Sequence, residues 1–183
     1  VYHGPEGLKQ IARRVALFTR VLAKVLSDLG YTLEAGAFFD TLKVLSGPKS
    51  AADIHKASAS RGVNLRPYDD GSVGIALDET VTVADLEALN KIFGGDGLDA
   101  ESIAQNLDSD FSAAQRRSTP ILQHPIFSMY HSETELMRYV TKLANRDLSL
   151  THSMIPLGSC TMKLNAATEM IPVTWESGFS PRT

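Results

Sequence analysis

From Gly4 to Gly30 the chain reads GPEGLKQIARRVALFTRVLAKVLSDLG, and its apolar residues recur at Leu8, Ile11, Val15, Phe18, Leu22, Val25 and Leu29. Steps of three and four alternate, which puts all seven side chains on one face of an α-helix. Pro5 sits where a first helical turn tolerates it, and Gly30 is a natural stop. So long an apolar face has to be covered, and a sheet or a second helix is the ordinary cover. A coiled coil uses the same spacing, but here the pattern ends after about three heptads.

The segments that follow supply that cover. AFFDTLKVLS reads as a strand closed by Gly47-Pro48, and SAADIHKASASRG as a short helix ended by Gly62. VNLRPYDDGSVGIAL carries two short strands around Asp70-Gly71, a hairpin signal. Thr82 is placed to cap VADLEALNKIFGG, in which Leu86, Leu89 and Phe93 fall at helical spacing. Strand, helix, hairpin and helix in this order predict an α+β fold: a small, mostly antiparallel sheet with helices packed on it.

From Gly94 to about Tyr130 the periodicity fades, and RRSTPILQHPIF, with two prolines, reads as an irregular connector. Ser132 and Glu135 then form a capping box, which predicts a linker helix from about Glu133 to Asn145. Beyond it the chain is loop-like to Pro156, with a further helix expected near Asn165. The expected divisions are an α+β domain over 1–118, a linker and helix over 119–150, and an extended active-site loop with a short tail over 151–183.

Totals narrow the partners. The 183 residues fit one ordinary domain, or one with an extension. Eighteen Lys and Arg against 21 Asp and Glu leave a net charge of −3, which favours neither nucleic acid nor an anionic membrane. No apolar run approaches the roughly 20 residues of a spanning helix, and VYHGPEG lacks the blocks of a signal peptide. A lone cysteine closes no internal disulfide, which fits a reducing compartment.

The densest chemistry lies in THSMIPLGSCTMKLN, residues 151–165. The five histidines, His3, His55, His124, His131 and His152, never fall at the three- or four-residue spacing of a helical metal pair, so no metal site is expected. Cys160 lies eight residues after His152, so a thiolate–imidazole pair is conceivable beside the plainer reading of a small residue in a tight loop. A redox-sensing thiol is a further reading of Cys160. GSCTMK offers Gly158 for close backbone approach, hydroxyls at Ser159 and Thr161 and a cation at Lys163, a mixture that holds a phosphate or carboxylate or simply makes a turn. Its spacing is not that of a Walker loop.

Taken together, HSETELMRYVTKLANRDLSLTHSMIPLGSCTMKLNAATEMIPVTW resembles a segment of the glycine decarboxylase family, the pyridoxal-phosphate-dependent P-proteins of the glycine cleavage system. VYHGPEGLKQIARRV and FFDTL resemble the same family, so the likeness covers almost the whole chain. It implies an internal piece of a longer polypeptide built from two aminotransferase-like halves. The piece would comprise the C-terminal small domain of the first fold-type-I half, the linker and the opening of the second half.

The resemblance implies decarboxylation of glycine and transfer of the aminomethyl group to the lipoyl arm of H-protein, with pyridoxal phosphate as electron sink. It makes PLGSCTMKLN a loop at the mouth of the second half's active site. Ser159, Thr161, Lys163 and Asn165 become its polar lining, with His152 and Cys160 nearby, and Pro156, Leu157 and Gly158 shape the backbone. None of these is expected to be catalytic. The family's coenzyme-bearing lysine lies well downstream, in a His-Lys motif that this sequence lacks, so Lys163 is not that lysine. After Trp175 the chain reads ESGFSPRT where the family continues with a Pro-Glu-Phe-like segment.

The piece alone is therefore expected neither to hold the coenzyme nor to turn over. Its implied partners are the remainder of a P-protein, lipoylated H-protein and glycine. Its compartment would be the cytoplasm in a bacterium or the mitochondrial matrix in a eukaryote. A non-catalytic interaction or regulatory module, pairing with itself as a homo-oligomer or with full-length enzyme through the stripe of the first helix or of ELMRYVTKL, is the alternative.

Overall fold

The structure is a computed structural model in which residues 1–107, 116–146 and 171 are described. The chain divides into two compact units, Val1–His131 and Ser132–Thr183.

In the first unit α1 spans Gly4–Asp28, with Pro5 in its first turn. Its stripe is buried where predicted at Val15, Leu22 and Val25, and half-buried at Ile11, Phe18 and Leu29. Leu8 departs from the expectation: it is 42% exposed.

A four-stranded antiparallel sheet lies against α1 in the order β1 (Thr32–Leu33), β2 (Thr41–Ser46), β4 (Val73–Ala76), β3 (Arg66–Pro67). Leu42 pairs with Ile75 and Val44 with Val73. Because successive strand residues alternate faces, these four β-branched and leucyl side chains point into one core, where each is at most 2% exposed. Lys43 and Gly74, paired between them, belong to the other face. The predicted hairpin around Asp70-Gly71 is the β3–β4 pair, with Gly71 in the left-handed region at φ 79°.

Between β2 and β3 the chain forms α2 (Ala51–Ala59), capped by Ser50, whose side chain accepts from the Asp53 amide. After β4 comes α3 (Val83–Phe93), opened by a full capping box: Thr82 accepts from the Asp85 amide, and Asp85 from the Thr82 amide. Leu86, Leu89, Ile92 and Phe93 of α3 join Val21, Leu22, Val25 and Leu26 of α1 and Ile54 of α2 in the single core. The α+β architecture with a small antiparallel sheet is thus the observed one.

Two polar side chains tie the layers together. Tyr31 donates to the Phe93 carbonyl at 2.8 Å and meets the Phe93 ring edge-on, so its hydroxyl is satisfied inside the core. Burial pushes its phenol above the usual range. Arg14 of α1 donates to the carbonyls of Glu79 and Val81 and lies 4.6 Å over the Phe18 ring, fastening the loop before α3 to α1.

The segment after Gly94 is less irregular than its composition predicts. A short helix, α4 (Ala100–Gln105), is capped by Asp99 and packs on α1. A 3-10 turn, Pro125–Ser128, also packs on α1. There the connector closes over the chain start: His131 Nδ1 is 2.7 Å from the Tyr2 carbonyl. Gly4, at φ 63°, leaves no room for a side chain, since a Cβ would stand 2.7 Å from the Phe127 carbonyl oxygen.

In the second unit α5 spans Glu133–Ala144 and opens on the predicted capping box of Ser132 and Glu135. The helix expected near Asn165 falls outside the described residues.

Candidate functional site

The predicted loop residues His152, Ser159, Cys160, Thr161, Lys163 and Asn165 lie outside the described residues. The described chain leads up to them through α5. Its two reciprocal bonds satisfy amides that the first turn would otherwise leave unpaired, and the carboxylate of Glu135 sits where the helix dipole favours negative charge. Leu136, Val140 and Leu143 fall at steps of four and three on one side of the helix, and Met137 flanks them. Val140, Leu143 and Met137 are exposed.

On the first unit, the sheet face opposite the core carries the best-organised polar cluster. Lys43 of β2 donates to Asp70 at 2.8 Å and lies 3.7 Å from Glu34. Its ammonium stands 4.8 Å from the centre of the Tyr68 ring, and Arg66 lies 4.9 Å from the same ring. Gly74 makes this possible, because a Cβ there would come within 2.9 Å of Tyr68. Hydrogen bonds from Lys43 and from Ser72 hold the Asp70 carboxyl far below the ordinary carboxylate range. The bond to Asp70 in turn raises the Lys43 ammonium above its usual value. Sequence reasoning missed this cluster. Its only sequence trace is the alternation that puts Lys43 opposite the inward Leu42 and Val44.

Whether the described residues fit the coenzyme implied by the resemblance turns on lysine chemistry. An imine-forming amine must shed its proton, which burial or a neighbouring cation promotes. Lys9, Lys43 and Lys49 are described lysines that border cavities. Lys43 is held protonated by carboxylates, Lys9 faces Glu6 at 2.7 Å, and Lys49 donates to the Ile92 carbonyl at 2.8 Å. None of these three has the setting of a coenzyme-bearing lysine. Among the described residues no three His, Cys, Asp or Glu side chains converge as metal ligands. No described helix is long and apolar enough to cross a membrane.

Comparison with known proteins supplies the identity that the described geometry alone does not. The model of a family described as "Glycine cleavage system P-protein" matches residues 1–93, which is α1, the whole sheet, α2 and α3. A protein of Aliivibrio fischeri (strain MJ11), "Glycine dehydrogenase (decarboxylating)", is 51% identical over 179 residues. That match takes in 96% of this chain and 18% of the relative, so the chain spans less than a fifth of the relative's length. The match reaches well past Phe93, across the connector and α5. The chain belongs to the glycine cleavage system P-protein family.

Proposed function

We propose that this chain does its work as part of a pyridoxal-phosphate-dependent glycine decarboxylase. The observation that carries the reading is the 51% identity over 179 residues to a glycine dehydrogenase (decarboxylating), which spans almost the whole chain. In this reading residues 1–118 are a small domain, 119–150 a linker and 151–183 the opening of a second half. The reaction releases the glycine carboxyl as carbon dioxide and passes the aminomethyl group to the lipoyl arm of H-protein. When bound, pyridoxal phosphate supplies the electron sink for that decarboxylation.

The loop's share is orientation. Ser159 and Thr161 hydroxyls, the Lys163 ammonium and the Asn165 amide would hold the substrate carboxylate and amine in place, with His152 and Cys160 beside them. Decarboxylation depends on the breaking bond being aligned, so positioning alone has a large effect on rate. The first unit's part is structural: Lys9 and Lys43, beside cavities, are held in ion pairs, and Lys49 in a backbone bond. The isolated chain therefore performs no turnover, and the compartment is that of the glycine cleavage system, cytoplasm or mitochondrial matrix.

A chimera tests this. The chain replaces the matching stretch of the Aliivibrio fischeri relative, and glycine–bicarbonate exchange is measured with pyridoxal phosphate and lipoylated H-protein. Exchange should be retained in the chimera, and Lys163→Ala and Asn165→Ala should each weaken glycine use by about tenfold, the worth of one charge-assisted hydrogen bond. Unaltered kinetics in both variants would remove the loop from the site.

The exposed Met137, Val140 and Leu143 on α5 favour a second reading, in which this helix is an interaction surface. Light scattering on the purified chain separates the two: a monomer at all concentrations excludes self-association through α5.

A further inference from the structure

Asp-Gly occurs twice in the chain, at Asp70-Gly71 and at Asp96-Gly97. The dipeptide is chemically weak because glycine carries no side chain to shield its amide nitrogen, which can attack the preceding carboxyl and close a succinimide ring. Both pairs are exposed, so exposure does not separate them. Hydrogen bonding does. In the β3–β4 turn Asp70 accepts from Lys43 at 2.8 Å and from the amide and hydroxyl of Ser72, and the Gly71 amide donates to the Tyr68 carbonyl at 3.0 Å. Both reacting groups are engaged there. Asp96-Gly97 lies in the loop between α3 and α4, where Gly94 and Gly97 take the left-handed region at φ 97° and 79°. Among the described residues, neither the Asp96 carboxylate nor the Gly97 amide makes a hydrogen bond.

The surroundings give such a reaction a consequence. Asn90 of α3 is 3% exposed and donates through Nδ2 to the Gly97 carbonyl at 2.9 Å, while its own carbonyl accepts from the Gly95 amide at 2.9 Å. This double hold fixes the path of the loop to Leu98, which packs on the core, and on to α4. We propose that Asp96 is a modification site, where the chain isomerises spontaneously to isoaspartate, and that conversion loosens α4. The Gly97 nitrogen bonds to the Asp96 Cγ, and the amide hydrogen and the carboxyl hydroxyl leave together as water. Water then adds at the Asp96 main-chain carbonyl and breaks its bond to the Gly97 nitrogen. The chain now runs through Cβ and Cγ, and the former main-chain carbonyl is a free carboxylate. This route is longer by a methylene, which shifts the Gly97 carbonyl off the Asn90 amide, and a buried donor left without its acceptor destabilises the native loop. The site is separate from the 151–165 loop in sequence and does not rest on the decarboxylase reading.

The test ages the 183-residue chain at neutral pH and maps it with a protease that cuts before aspartate but not before isoaspartate. Loss of the cut between Gly95 and Asp96, at unchanged mass, reads conversion at that site, and loss of the cut between Asp69 and Asp70 reads it at the other. Each unit by which a carboxyl is depressed lowers its neutral, reactive fraction about tenfold, so Asp70, held down by Lys43 and Ser72, should convert at least about tenfold more slowly than Asp96. Chain aged in urea, where those contacts are gone, should convert at the two sites at similar rates. Asp96→Asn reaches the same ring by losing ammonia and should convert faster, whereas Asp96→Glu, whose ring is larger and closes slowly, should not convert. Converted chain should show faster amide exchange through α4, with the β2–β4 core unchanged. The comparison of folded with urea-aged chain needs no variant and stands whatever a substitution does. Conversion at Asp96 no faster than at Asp70 in the folded chain, or the same ratio of rates in urea, would overturn the proposal. So would unaltered exchange in α4 after conversion.

Discussion

At the scale of single residues, Gly47 and Tyr31 show how closely the core is specified. Gly47 follows β2 directly, and a Cβ there would overlap the Tyr31 ring, itself 4% exposed and bonded to Phe93. Gly47→Ala should therefore destabilise the chain by about 1–3 kcal/mol, the usual range for overpacking, read as a fall in the urea midpoint. Tyr31→Phe keeps the ring and removes the hydroxyl, leaving the Phe93 carbonyl without its partner. A loss of about 1 kcal/mol is expected. Composition marks Gly47 only as a strand terminator beside Pro48. Its contact with a tyrosine sixteen positions upstream depends on how the strand returns along α1, which no local pattern records.

Among the elements, what was legible in the sequence is what local physics decides. The Ser132 and Glu135 capping box of α5 was readable in full, because its bonds join residues three apart, whereas for α3 only the Thr82 cap was read and the reciprocal Asp85 bond came from the structure. Thr82→Ala should cost about 1 kcal/mol in global stability, and Ser132→Ala a similar amount confined to α5, seen as faster amide exchange there. The two-residue β1 and six-residue α4 were not legible. Neither is long enough to show a period, and each owes its existence to neighbours, β1 to pairing with β2 and α4 to packing on α1. Likewise, Leu8 has ideal spacing yet ends up exposed, since periodicity defines a face without saying how far its cover extends. The closure of the connector over Gly4 is a long-range contact of the same kind. Gly4→Ala should loosen it, because the side chain meets the Phe127 carbonyl and the His131 ring. Faster amide exchange through Phe127–His131, with the β2–β4 core unchanged, is the expected signature.

Across the whole molecule, stability should be lost in acid in a predictable direction. Asp70, Asp78 and Asp85 all have carboxyls depressed below their ordinary values, Asp70 by Lys43 and Ser72, Asp78 by Thr80 and Asp85 by Thr82. A depressed carboxyl stabilises the fold fully above its unfolded value, about 4, and loses that contribution as pH falls through the folded value. The urea midpoint should therefore hold steady from neutrality down to about pH 4 and decline below it. Asp70→Asn should lower the midpoint near neutrality and flatten that decline.

A role for the 151–165 loop was legible at this scale only through resemblance. Ser159, Thr161 and Lys163 are compatible with a turn or with an anion site, and nothing local separates the two. The relative named glycine dehydrogenase (decarboxylating) matches 96% of this chain, while the chain covers 18% of that protein. In the first unit Lys9, Lys43 and Lys49, which border cavities, are engaged with Glu6, Asp70 and the Ile92 carbonyl. The most direct test is borohydride reduction of the purified 183-residue chain with pyridoxal phosphate, alongside glycine–bicarbonate exchange in the presence of lipoylated H-protein. The account predicts no exchange and no single lysine selectively carrying the reduced coenzyme. Stoichiometric labelling of one lysine together with glycine-dependent exchange would contradict it.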